Sequence, residues 1–89
     1  MNIILTRSQY SDSTWELFNN APPGSQFMLR AEGVYLIKTA ADRLAALPNV
    51  LAHSDDIQLR GLHVPENITA CSIATWLEET TTDTPWVTF

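Results

Sequence analysis

The sequence predicts an α/β domain, a small three-layer α/β/α fold with a mostly parallel sheet of four or five strands. Three observations predict it. Short apolar runs rich in β-branched residues alternate four times with segments of helical spacing. Such alternation builds a parallel sheet through right-handed crossovers, with helices on both faces. Hydrophobic residues make up 45% of the chain and charged residues only 17%, too apolar and too weakly charged for a disordered polymer. The length of 89 residues fits one domain over residues 1–89.

The elements follow in order. Residues 2–6 (NIILT) are an apolar, β-branched run that predicts a buried strand, central or next to central in the sheet. Arg7, Ser8 and Gln9 form the loop at its carboxyl end. Ser11 is suited to cap a helix over 11–20, with Thr14, Leu17, Phe18 and Ala21 at helical spacing. The prolines at 22 and 23 end it, because proline lacks the amide donor and clashes with the preceding turn. Residues 26–31 (QFMLRA) predict the second strand. Glu32-Gly33 then interrupts before the apolar run 34–37, which fits either a hairpin or a tight turn entering a helix. Thr39 with Asp42 resembles a capping box opening a helix over 39–47.

Residues 50–53 predict a third strand. Ser54 is a good cap, and Asp55 and Asp56 put negative charge in the first turn of the next helix, where its dipole favours them. Gly61 suits a left-handed stop. Residues 68–72 (ITACS) predict a fourth strand and 73–80 a helix carrying Trp76 and Leu77. The chain reaches Phe89 through a possible edge strand, 86–89.

Charge and cysteine content narrow the function. Ten acids against five bases leave a net charge of −5. The bases Arg7, Arg30, Lys38, Arg43 and Arg60 are dispersed, so neither direct nucleic-acid binding nor attraction to an anionic membrane is expected. The single cysteine, Cys71, has no internal disulfide partner, which fits a reducing compartment. The apolar start breaks at Thr6 and Arg7, too short for a signal peptide or a span. A cytoplasmic protein is expected. Small domains of low surface charge also gain stability by oligomerising.

No motif names a reaction by itself. Gly24, Gly33 and Gly61 are isolated and make no phosphate loop. His53 and His63 lack clustered partners at metal-ligand spacing, so His53 reads as structural or solvated, and no metal or cofactor is expected. Cys71 is the residue with distinctive covalent chemistry. It reads as a small apolar side chain within a strand, or, being near the carboxyl end where such folds place their sites, as a catalytic thiol. Asp55-Asp56 and Arg60-Gly61 are explained by the start and stop of a helix. Among the aromatic residues, Trp76 suits the core. Trp86 and Phe89, at a chain end, suit an interface.

Several of these features, in this order, resemble the DsrH/TusB family of sulfur-relay proteins. They are Ile3-Ile4-Leu5-Thr6-Arg7-Ser8 and the stretch from Met28 through Glu32-Gly33-Val34-Tyr35. They continue with Asp55-Asp56-Ile57-Gln58-Leu59-Arg60-Gly61-Leu62, then Ser72-Ile73-Ala74-Thr75-Trp76-Leu77, and finally Trp86. The likeness runs over nearly the whole chain.

The resemblance implies a DsrE/F/H-like fold and a subunit of a complex that passes persulfide sulfur between cysteines. That complex would serve tRNA wobble 2-thiouridine synthesis or dissimilatory sulfur oxidation. It implies DsrE/TusD-like and DsrF/TusC-like partners, with the main acceptor cysteine on the former. Arg7, Ser8, Trp86 and Phe89 become docking candidates, and Glu32, Gly33, Asp56, Arg60 and Gly61 family-motif positions. The chain departs from the family in having no cysteine over 9–21, in Gln9 where a proline is common, and in Ser72 and Ile73. An auxiliary, non-catalytic subunit is therefore expected, with a Cys71 carrier or a homo-oligomeric interaction module as alternatives.

Overall fold

β1 (Asn2–Leu5) is buried at all four positions, as a parallel strand covered on both faces must be. α1 (Asp12–Asn19) starts where Ser11 Oγ accepts the Thr14 amide at 3.3 Å and stops at Asn20, before the two prolines. β2 (Gln26–Leu29) leads through a 3₁₀ turn, Ala31–Tyr35, into α2 (Leu36–Thr39) and α3 (Ala41–Ala45). Then come β3 (Val50–His53), α4 (Ser54–Arg60), β4 (Ile68–Cys71) and β5 (Trp86–Thr88). This computed structural model describes residues 1–72, 74–76 and 86–89.

The strand order is β4-β3-β2-β1-β5, and every neighbouring pair is parallel. The first three crossovers step one way along the sheet. Right-handed connections therefore lay their helices on one face. β5 lies on the other side of β1, so the sheet extends in the opposite direction there.

Burial follows this topology. Ile3, Leu5, Phe27, Leu29, Val50 and Ile68 pack with Trp15, Phe18, Val34, Leu44 and Ile57. On the other face Ile4 and Met28 pack with Trp76, which belongs to the helical residues 74–76 and is fully buried. The sheet is covered on both faces in an α/β/α arrangement, and β1 lies next to central.

Several local expectations are corrected. No hairpin forms after β2, because β2 and β3 are parallel neighbours and the chain must turn into helix to cross over. The helix expected over 39–47 is broken at Ala40 (φ −144°) into α2 and α3. The Thr39 hydroxyl donates to the Ser8 carbonyl at 3.0 Å instead of capping. Ser54 is the first residue of α4, with His53 at the cap position and no side-chain cap bond. In α1 the buried pair is Trp15 and Phe18, while Leu17 is 63% exposed. Of the helix expected over 73–80, residue 73 and residues 77–80 lie outside the described residues.

Candidate functional site

The carboxyl ends of β2 and β3 converge on one polar cluster. β3 ends at His53, and α4 starts at once, so Asp56 stands one turn above the strand end. Its Oδ2 accepts from His53 Nδ1 at 2.8 Å and from the Ala31 amide at 2.9 Å. Its Oδ1 accepts from Arg60 Nη1 at 3.2 Å. Arg60 also donates to Glu32 Oε1 at 3.5 Å, and its guanidinium lies 5.6 Å from the Tyr35 ring centroid.

Three features of the backbone make this possible. Ala31 holds the left-handed region at φ 50°, an uncommon position for alanine, and its N–H is satisfied by Asp56. Gly61 ends α4 at φ 62°, which leaves Arg60 in the last turn beside Asp56. Gly33 lies against the end of β1, where a Cβ would overlap the Leu5 carbonyl.

The electrostatics follow. Burial works to raise the Asp56 carboxyl, but the Ala31 and His53 hydrogen bonds and the charges of His53 and Arg60 outweigh it. Asp56 is held below the ordinary carboxylate value. An ionised carboxylate only accepts, so His53 Nδ1 carries the proton and, in the neutral ring, Nε2 is the basic nitrogen. That Nε2 is buried and has no hydrogen-bond partner among the described residues, with Asp55 Oδ2 4.0 Å away. An Asp–His pair of this kind orients an imidazole for proton transfer. Nothing in the cluster resembles a metal centre: among the described residues no group of three or more His, Cys, Asp or Glu is placed to hold an ion.

The other residues singled out from the sequence are distributed as follows. Cys71 is half-buried at the carboxyl end of the edge strand β4, directly across from His53. Arg7 is exposed and its amide donates to the Tyr10 hydroxyl at 3.1 Å. Ser8 lines a cavity of about 570 Å³ with Tyr10, Trp15, Lys38, Thr39 and Arg43. Phe89 is half-buried, packed against the core with its ring centroid 5.0 Å from that of Phe18. Its main-chain oxygen accepts from the Thr6 amide, the Thr6 hydroxyl and the Tyr10 hydroxyl, which ties β5 to the loop after β1. The Trp86 side chain lies outside the described residues. Sequence reasoning assigns no chemical role to His53, Tyr35 or Arg30. A usable signal is present in His53-x-x-Asp56 at a strand-to-helix junction, where spacing of three brings both side chains to one side of the first turn.

No protein-family model matches the chain, and no curated protein matches it in sequence.

Proposed function

We propose that this chain is an auxiliary subunit of a cytoplasmic sulfur-relay complex, in which DsrE/TusD-like and DsrF/TusC-like subunits are its partners. The relay would serve tRNA 2-thiouridine synthesis or sulfur oxidation. One observation carries the reading. The positions that the family likeness singles out come from two segments more than twenty residues apart in the chain, 32–33 and 56–61. In space they build one clamp: Asp56 bridges Arg60 and the Ala31 turn, Arg60 reaches Glu32, and Gly33 presses on β1. The convergence of these positions in space supports the reading.

Among the described residues no helix is long and apolar enough to cross a membrane.

The test is co-expression with DsrE- and DsrF-like proteins from the same genome. Co-elution in one complex on a sizing column is expected. A chain that elutes apart from both overturns the reading, and a stable homodimer without affinity for either would favour a self-associating module.

A further inference from the structure

His53 stands between two carboxylates of the helix that follows it. Its Nδ1 donates to Asp56 Oδ2 at 2.8 Å, and its Nε2 faces Asp55 Oδ2 at 4.0 Å. The two carboxylates differ in setting. Asp56 is largely buried and also holds the Ala31 amide and Arg60, whereas the Asp55 side chain is 83% exposed. His53 itself is nine-tenths buried, yet its Nε2 has no hydrogen-bond partner among the described residues. A buried polar atom left unpaired is uncommon and calls for a physical cause.

The tautomer supplies that cause. Ionised Asp56 keeps the proton on Nδ1, so the neutral ring turns a lone pair on Nε2 towards Asp55. Lone pair and carboxylate are both acceptors and cannot bond. A separation of 4.0 Å, well beyond hydrogen-bond distance, is what two facing acceptors keep. One proton changes the contact. An imidazolium has a donor on each nitrogen, and a charge-assisted bond to a carboxylate closes to about 2.7–2.9 Å. Asp55 is exposed, so it can cover the remaining gap of about 1 Å without leaving a hole in the packing.

The titratable and charged groups around the ring come from four elements. From α4 come Asp55, Asp56 and Arg60, the last held by Asp56. From the 3₁₀ turn come Glu32, paired with Arg60, and Tyr35, against its guanidinium. On the neighbouring strands Arg30 follows the end of β2, and Cys71 pairs with His53 in the β3–β4 register. Among the described residues the ion pairs of His53 itself go to Asp55 and Asp56. Histidine is the side chain that ordinarily changes charge between about pH 5 and 8. Asp56, held below the ordinary carboxylate value, keeps its charge across that range.

We propose that His53 is a pH-sensitive latch at the junction of β3 and α4. The proton it takes up turns two facing acceptors into an ion-paired hydrogen bond from Nε2 to Asp55, which pins the first turn of α4 to the end of β3. α4 also carries Asp56 and Arg60, so the latch tightens the seat of the clamp on acidification and releases it as pH rises. The latch requires neither partner nor substrate, so it goes beyond the relay reading and stands without it.

The test is Asp55→Asn, with thermal midpoints measured at about pH 8.5 and about pH 5.5, either side of the histidine range. At the higher pH the variant should melt at or above the parent, because an amide can donate to the Nε2 lone pair. At the lower pH it should melt below the parent by about 4–8 °C, having lost a charge-assisted bond. Asp42→Asn, which removes an exposed carboxylate from α3, controls for net charge and should show no such reversal. In a His53→Gln background the reversal should vanish. A difference of the same sign and size at both pH values, or a reversal that persists without His53, overturns the latch. If His53→Gln does not fold, imidazole nitrogen-15 NMR decides, with His63→Gln used to separate the two histidine signals. The Nε2 proton gained on acidification should exchange with solvent about tenfold faster in Asp55→Ala than in the parent; equal exchange overturns the proposal.

Discussion

Gly33→Ala isolates the close approach on which the clamp depends. A Cβ at position 33 would lie 2.6 Å from the Leu5 carbonyl carbon and 3.2 Å from the Thr6 nitrogen, overlapping the Leu5 oxygen between them. Ordinary contact begins at 3.4 Å, so clearing the Leu5 carbonyl carbon alone parts the 3₁₀ turn and β1 by roughly 0.8 Å, and clearing the overlapped oxygen parts them further. Both sides are backbone, and Leu5 and Leu29 are fully buried, so neither has a flexible end to yield.

The Arg30 amide donates to the same Leu5 oxygen at 3.0 Å, and parting the two stretches that bond beyond its useful range. Overpacking costs about 1–3 kcal/mol and a lost buried hydrogen bond about 1 more. The expected loss is about 3 kcal/mol, a large part of the roughly 4–13 kcal/mol that a domain of this length holds. Thermal unfolding followed by far-ultraviolet circular dichroism should show the midpoint falling by about 12–24 °C. Gly61→Ala is the control. It meets open space at φ +62° and bears only the left-handed penalty of about 1–2 kcal/mol. A Gly33→Ala protein that melts within about 3 °C of the parent, or above Gly61→Ala, refutes the close-approach reasoning.

Two further predictions concern the clamp and the second face. Asp56 is held below its unfolded value of about 3.9, so its contribution is full above that value and lost as pH falls through the folded one. In urea unfolding, the deficit of Asp56→Asn relative to the parent should be constant at neutral pH and shrink on acidification below about pH 5; a pH-independent deficit contradicts the assigned shift. Trp76 is fully buried and its Nε1 donates to Gln26 Oε1 at 3.2 Å. Trp76→Ala should cost about 3–5 kcal/mol in denaturant titration, and a loss under about 1 kcal/mol would mean that Trp76 does not cover the sheet.

Much of the secondary structure was legible because its signals are local. The β-branched run at 2–5, the Ser11 cap, the double proline and Gly61 each act through neighbours a few residues away. Where the reading slipped, a distant partner had decided. Thr39 has the side chain of a cap, but the Ser8 carbonyl, thirty-one residues back, takes its hydroxyl. Leu17 fits the helical period of α1, yet Trp15 and Phe18 meet the sheet and Leu17 stays outside. His53 looked incidental because its partners, Asp56 and the Ala31 turn, are brought together only when β2 and β3 pair.

The sequence by itself determined that strands and helices alternate, where most of them start and stop, and that no short motif names a reaction when taken singly. Apolar period, caps and chain breakers encode those choices within a turn or a strand. Only the tertiary structure decided the strand order, the face each side chain occupies and the register between strands. Those depend on pairing between residues far apart in the chain, where a shift of one residue sends every side chain to the other face. The clamp around Asp56 exists through that register.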